Sequence, residues 1–470
     1  MTALVLSIST AVFSQQTDQS KVIDSYVKEV MKSNEIPGLA LGVIKDDKII
    51  FQEYYGMDNL EDPKKVDASS MFRIYSTSKL ITNIAVFQLI EKGKLSLEDK
   101  ISKYVEDLPK KWQDVKVKNL LTHSSGIPNV IAFNDISADT SNAQAIQRLE
   151  KEKMDFTTGN EYRYNQTNYM LLTMIIEKIT RQSFEDFILK NQFYDSKDSF
   201  IFSSNSIEKI PNRIVKYNYN PATKQYEQST AVDGVRAHSA NGLALTLPAF
   251  LKWSSHLSKN DFLNPATKEM MWKSFDFGNK KDVFAHGWEI NKTNNIQSYG
   301  FSGGNVSAYR IFPHNNMAIV IMSNGYNFFP AQYQMVNHIA SIIDKNLTDA
   351  YSLVEESIIA EFSKRDNPNS EKNYYSIKAK NPTWDFETTL NEIGYILMRN
   401  SRTDEAIKVF DLNVKEHPQS SNAFDSLGEG YFSAKNYTLA LKNYKKSLEL
   451  NPQNTNALNM ISKIENLIKK

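Results

Sequence analysis

The sequence predicts an α+β protein in two parts: a domain with an antiparallel sheet flanked by helices plus a helical subdomain, followed by an all-α segment. Two patterns carry this expectation. β-rich runs gather near residues 39–56 and 284–323 while the middle of the chain is helical, so strands from both ends of one domain have to close a single sheet. Beyond residue 380 the pattern changes to a repeat with a period of 34. The divisions that follow are a signal segment at 1–16, the sheet domain at 17–346, a linker with one helix at 347–380, and helical repeats at 381–470.

Composition narrows the partners. The chain has 470 residues, 41% hydrophobic and 23% charged, and 55 basic against 54 acidic residues leave a formal charge of +1. Nothing in that balance points to nucleic acid or an anionic membrane as the main partner. Residues 3–13, ALVLSISTAVF, followed by Ser14, Gln15 and Gln16, resemble the apolar and cleavage regions of a secretory signal, although no basic residue precedes them. The run is too short to span a bilayer. With no cysteine there is neither a disulfide framework nor a lipid-anchoring thiol. A periplasmic or secreted protein without a transmembrane span is the expectation.

In chain order, Lys21–Ser33 reads as a helix with Val22, Ile23, Tyr26, Val27, Val30 and Met31 on its apolar side, ended by Pro37 and Gly38. Leu39–Gly56 reads as a hairpin turning at Asp46 and Asp47. Phe72–Ile90 opens extended and becomes a helix whose first turn carries Ser76 and Lys79, and its broad apolar surface suits a helix surrounded by protein. Val115–Pro128 is a short helix running into a turn, and polar residues 162–168 precede a buried helix at Tyr169–Ile179. Pro248–Leu257 is helical with proline in its first turn. Phe284–Ile290, the glycine-bearing run Ser298–Pro313 and Met317–Ser323 are strands, the last two joined at His314, Asn315 and Asn316. In the C-terminal segment Gly394, Ala406, Phe410 and Pro418 recur as Gly428, Ala440, Tyr444 and Pro452, a pattern that resembles tetratricopeptide repeats, with Thr455–Lys470 as a closing helix.

Ser76 and Lys79 stand at i and i+3, on one face of a helical turn. A serine hydroxyl becomes a useful nucleophile when a neighbouring base takes its proton, and a lysine kept neutral is such a base. The seven histidines show no paired metal spacing, so neither a metal nor another cofactor is expected.

The ordered motifs FRIYSTSK, LLTHSSGIP, YRYNQTNYMLL and YGFSGGN, across residues 20–345, resemble the serine hydrolase family of class C β-lactamases, D-alanyl-D-alanine peptidases and related esterases. The resemblance implies that Ser76 is the nucleophile, Lys79 its proton acceptor, and Tyr164 the partner of Lys79, its phenol partly ionised beside a lysinium. It implies an oxyanion hole from the amides of Ser76 and Gly304. Gln166 stands where asparagine is usual and is expected to bind substrate, as are Ser302 and Gly303. The departure is Phe301, which occupies a position that usually carries lysine or histidine. Losing such an electrostatic contributor typically costs about 10²- to 10³-fold in rate. His123 is read as part of a turn that positions neighbouring loops. The implied substrate is a small molecule or peptide: a β-lactam, a D-amino-acid peptide or a small ester. The changes at Gln166 and Phe301 support a second reading, a catalytically weakened hydrolase fold that binds a peptide or protein partner through its C-terminal repeats.

Overall fold

The structure, a computed structural model, describes residues 2–277, 283–329, 332–365 and 367–468, with side chains from Asp18 onward. The leader expected over 1–16 therefore lies outside the described side chains. Helix α1 (Thr2–Ser33) buries Ile23, Val27 and Val30, one stripe at helical spacing. Strands β1 (Gly38–Lys45) and β2 (Lys48–Gly56) form the expected hairpin. Its turn residues Asp46 and Asp47 have φ of 50° and 61°, the paired left-handed conformation that suits a two-residue hairpin loop.

Strand β3 (Met71–Arg73) leads through a 3₁₀ turn at Tyr75–Thr77 into α2 (Ser78–Glu91), in which every residue from Ser78 to Leu89 is buried. The helical middle follows as α3 (Val117–Leu121), α4 (Asn142–Glu150), α5 (Gln166–Thr180) and α6 (Phe184–Gln192). Side-chain caps fix three of these starts: Ser141 accepts from the Gln144 amide at 3.2 Å, Asn165 from Thr167 at 2.7 Å, and Ser183 from Asp186 at 3.1 Å. Next come β4 (Phe200–Phe202), β5 (Tyr217–Asn220), β6 (Gln225–Gln228), α7 (His238–Asn241), β7 (Leu243–Thr246), α8 (Leu247–Ser258) and α9 (Pro265–Trp272). β3, β7 and β4 make a small antiparallel sheet that anchors the start of α2.

Strands β8 (Glu289–Thr293), β9 (Ile296–Gly303), β10 (Ser307–Phe312) and β11 (Met317–Ser323) complete a six-stranded sheet in the order β2-β1-β11-β10-β9-β8. β1 pairs with β11 from Leu39↔Ser323 to Lys45↔Met317, so the two ends of the domain meet in the middle of the sheet. The strand expected at Phe284–Ile290 begins only at Glu289. The Ala285 amide donates to Trp288 O at 2.8 Å across Gly287, whose φ of 84° reverses the chain there. Alternate side chains divide the sheet into two faces. Ala40, Tyr309, Val320 and Met322 pack beneath α2, α5 and α8, while Leu41, Ala308, Ile319 and Ile321 pack beneath α1 and α10 (Gln332–Ile343).

The linker expected over 347–380 is instead two helices, α11 (Ala350–Ser363) and α12 (Ser370–Lys380). Ile358, Ile359, Phe362 and Tyr374 share one core with Phe386, Leu390 and Ile393 of the helices that follow. α12 buries Tyr374 alone, too sparse a pattern to mark a helix in a polar stretch. The remaining helices are α13 (Glu387–Arg399), α14 (Thr403–Glu416), α15 (Ser421–Ser433), α16 (Tyr437–Leu450) and α17 (Thr455–Ile468). Equivalent positions make equivalent contacts: Gly394 lies against the Phe410 ring and Gly428 against Tyr444. The helical segment docks on the α1 and α10 side of the sheet. Tyr26 donates to Glu356 at 2.5 Å, His338 Nδ1 lies 2.6 Å from the same carboxylate, and the Arg402 guanidinium sits over the Phe328 ring. No helix among the described residues is long and apolar enough to cross a membrane.

A Cβ at Gly394 would lie 2.2 Å from Phe410, whereas one at Gly428 would lie 3.1 Å from Tyr444. Gly394→Ala is expected to destabilise the helical segment by about 1–3 kcal/mol and Gly428→Ala by less, as overpacking does. Thermal unfolding followed by circular dichroism checks the order, and the reverse order would contradict this packing.

Candidate active site

The site forms where the 3₁₀ turn, the start of α5, and the tip of the β9–β10 hairpin converge. Ser76 belongs to the 3₁₀ turn and not to the first turn of α2, while Lys79 is the second residue of α2. The turn runs directly into the helix, so the two side chains still share one side. Tyr75, just before the nucleophile, has a φ of 47°, a left-handed conformation that costs a non-glycine residue about 1–2 kcal/mol. The surroundings hold it there. Ser307 Oγ donates to Ile74 O at 2.7 Å, the Ile74 amide donates to Leu243 O at 2.9 Å, and the Arg73 guanidinium lies 4.5 Å from the Tyr75 ring centre. Arg73 is itself pinned by Asp233 at 2.9 Å and by Asn241.

Lys79 Nζ lies 3.5 Å from Ser76 Oγ and donates to Gln166 Oε1 at 2.9 Å and to Ala240 O at 2.8 Å. The residue is 0% exposed, and burial holds its pKa well below the ordinary lysine range. A neutral amine has two N–H groups, and here both have carbonyl acceptors. Its lone pair is left for the Ser76 proton. Tyr164 donates to Ser76 Oγ at 2.6 Å. Burial raises the phenol pKa above its ordinary value; the Ser76 and Gln166 hydrogen bonds pull the other way, and Glu289 adds to the rise.

Where a phenol partly ionised beside a lysinium is expected, burial instead pushes both groups toward their neutral forms, the amine pKa down and the phenol pKa up. Gln166, expected to bind substrate, directs its carbonyl end to the lysine. Phe301 is 5% exposed, with its ring centre 6.2 Å from those of Tyr164 and Phe284. An aromatic wall therefore stands where a cation is usual. Ser302 pairs with Ala308, on the alternate side of the strand from Phe301, and no hydrogen bond joins it to Ser76, Lys79 or Tyr164.

Gly304 and Asn305, both with φ of 55°, begin the three-residue turn, 304–306, at the tip of the hairpin. That tip presses on the nucleophile turn. A Cβ at Gly303 would lie 2.1 Å from Ile74 O and 2.8 Å from Ser76 N, and one at Gly304 would lie 2.6 Å from the Tyr75 ring. Gly303 is thereby set against the backbone of Ser76, and Gly304, next in the chain, against the Tyr75 ring. Among the described residues β8 pairs with β9 only as far as Gly300, which leaves the outer edge of residues 301–303 unpaired. Sequence reasoning missed the Ala240 carbonyl, because a backbone acceptor carries no side-chain signal. It also placed His123 only in a turn, whereas the residue is buried against Tyr164.

A serine flanked by a buried lysine and a tyrosine, between a helical subdomain and an antiparallel sheet, defines a serine hydrolase of the β-lactamase and penicillin-binding-protein type. The family model described as Beta-lactamase matches residues 23–337, and the chain belongs to that family. Protein flp of Staphylococcus aureus (strain MW2) is 27% identical over 177 residues, 36% of this chain and 36% of that protein, so the match spans about a third of the relative's length. The N-acetylmuramyl-L-alanine amidase of Bacillus subtilis (strain 168) is 24% identical over 376 residues, 68% of this chain and 83% of the amidase. Among solved structures, the octameric penicillin-binding protein homologue from Pyrococcus abyssi aligns with a TM-score of 0.62 at 22% identity, covering 73% of this chain and 81% of that one.

Two outcomes follow from this geometry. Gly303→Ala forces a methyl group into the Ile74 carbonyl and is expected to slow labelling of Ser76 by a fluorophosphonate about 100-fold in a folded protein. Unchanged labelling would contradict the close approach. Acylation requires Lys79 without its extra proton, so the rate falls as pH drops through the depressed lysine pKa, and the raised phenol pKa removes any loss near pH 10. Labelling between pH 5 and 10 should show one rising limb, with a midpoint well below the ordinary lysine value of about 10.4. A flat profile would count against Lys79 as the base.

Proposed function

We propose that the protein is an exported enzyme, periplasmic or secreted, that hydrolyses an ester or amide through an acyl-enzyme on Ser76. The arrangement of Lys79 and Tyr164 on either side of Ser76 Oγ supports this reading, and the apolar leader supports export. Lys79 takes the Ser76 proton as Oγ attacks the carbonyl carbon. The amides of Ser76 and Gly304 hold the developing oxyanion. Tyr164 then gives its proton to the leaving alcohol or amine, and Lys79 returns a proton to the phenol. The carbon–leaving-group bond breaks and the acyl group stays on Oγ. Water, deprotonated by the same pair, releases the acid and restores Ser76.

Phe301 narrows the substrate. An aromatic wall gives a carboxylate no counter-charge, so substrates uncharged on that side fit best: small esters, or amides without a carboxylate beside the scissile bond. The C-terminal helices, read as tetratricopeptide-like pairs, have no role in these steps. The competing reading, a catalytically weakened hydrolase fold that binds a peptide or protein partner through its C-terminal helical repeats, is opposed by the preserved Ser76, Lys79 and Tyr164.

Treatment of the wild type and Ser76→Ala with a fluorophosphonate probe and a chromogenic ester is expected to give labelling and turnover in the wild type alone. Equal behaviour of the two would overturn the mechanism. A pull-down that depends on residues 381–470, with no acyl adduct by intact mass, would favour the binding protein. For specificity, Phe301→Lys is expected to raise kcat/KM for a carboxylate-bearing ester relative to its uncharged analogue by about tenfold, the scale of one charge-assisted hydrogen bond. An unchanged ratio would remove Phe301 from substrate selection.

A further inference from the structure

We infer that His123 is a positioning residue that holds Tyr164 in line with Ser76, an inference that rests on the assignment of Tyr164 as the proton donor to the leaving group. His123 reaches the segment around Tyr164 from both of its ends. Its backbone oxygen accepts from the Arg163 amide at 3.0 Å, and its ring Nδ1 accepts from the Asn165 amide at 3.0 Å. These are the two residues that flank Tyr164 in the chain. Between the two bonds the imidazole packs on the phenol, with ring centres 4.7 Å apart. One side chain and its own carbonyl therefore fix the peptide units on either side of a residue whose hydroxyl must stay 2.6 Å from Ser76 Oγ.

The rest of the LLTHSSGIP loop strengthens the clasp. Ser124 O accepts from the Gly159 amide at 2.8 Å and Gly126 O from Asp155 at 2.7 Å. Asn168 Nδ2 lies 3.5 Å from the same Nδ1, donates to Leu120 O at 3.1 Å, and its Oδ1 accepts from Ser125 Oγ. Several hydrogen bonds thus tie residues 123–126 to residues 155–168, and His123 is the member that grips on both sides of the tyrosine.

The position is costly for a histidine. Its φ of 55° is left-handed. With Nδ1 accepting, the ring proton lies on Nε2, which is buried and has no hydrogen-bond partner. The ring is boxed by Tyr162, Tyr164, Tyr169 and Phe284, so an apolar side chain would fill the space without burying an unpaired donor. What an apolar residue cannot supply is the Nδ1 acceptor. Burial first, and the charge of Lys79 when present, push the His123 pKa well down, so that acceptor survives across the working pH range.

Two substitutions separate this role from simple packing. His123→Asn puts an amide oxygen where Nδ1 stands and tolerates the left-handed backbone, whereas His123→Phe keeps a ring but removes the acceptor. Chromogenic-ester kinetics are expected to show kcat for His123→Phe reduced about 10- to 100-fold with KM changed less than about threefold, and His123→Asn within about fivefold of the wild type. In a Tyr164→Phe background, His123→Phe should cost less than about twofold, since the group it holds is gone. Amide hydrogen exchange of residues 160–168 should accelerate in His123→Phe and not in His123→Asn. Equal loss in both single variants, the same loss with and without the Tyr164 hydroxyl, or exchange that does not distinguish them would overturn the inference. The exchange measurement needs no turnover, so failure of Ser76 to form an adduct would remove the catalytic reading while the clasp was still decided.

Discussion

Lys79 has no contact with solvent, and the rest of the site is arranged around the cost of placing an amine there. Moving an ammonium into a protein interior costs on the order of several kcal/mol, so burial pushes the group toward its neutral form. Two carbonyl oxygens, from Gln166 and Ala240, satisfy the N–H groups of the neutral form. Among the described residues no carboxylate hydrogen-bonds to the amine to restore its charge. Burial of α2 on all sides, from Ser78 to Leu89, is the structural means by which water is kept away.

That constraint explains why the aromatic surroundings are coherent rather than a defect. The Tyr164 and Tyr169 rings lie 4.7 and 4.9 Å from the amine and Phe301 backs the Tyr164 ring, while burial lowers the lysine pKa and raises that of the phenol together. A cation at position 301 would favour a phenolate. Phenylalanine supplies no such charge, and burial keeps the phenol pKa up. One position therefore bears on the ionisation of the site and, in the proposed function, on the choice of substrate.

Much of this was legible in the sequence wherever the signal was local. The Ser76–Lys79 spacing, the Asp46–Asp47 turn and the closing of the sheet by early and late strands depend on near neighbours or on simple alternation. The 34-residue spacing likewise reappears as the matched contacts of Gly394 and Gly428. What escaped has a physical reason in each case. Gly287 reverses the chain inside an otherwise β-rich run, and α12 hides a single tyrosine in a polar stretch. The Ala240 carbonyl is a backbone group, and the protonation of Lys79 and Tyr164 depends on how completely water is excluded, which motif spacing does not encode. His123 stood in a recognised motif, yet its grip on both sides of Tyr164 exists only once two loops distant in sequence have met.

The pairing of β1 with β11 has a consequence for how the protein comes to be folded. Leu39 lies opposite Ser323, so the sheet cannot close until nearly the whole first part of the chain is available, and a long loop must be closed before any hydrogen bond of that ladder forms. A high contact order of this kind predicts slow folding and a long-lived open state with unpaired strand edges. The helices after residue 350 pack on the α1 and α10 side of that same sheet. They are made after the strands and settle on a surface that exists only after closure, which makes them a latch on a fold that is slow to form.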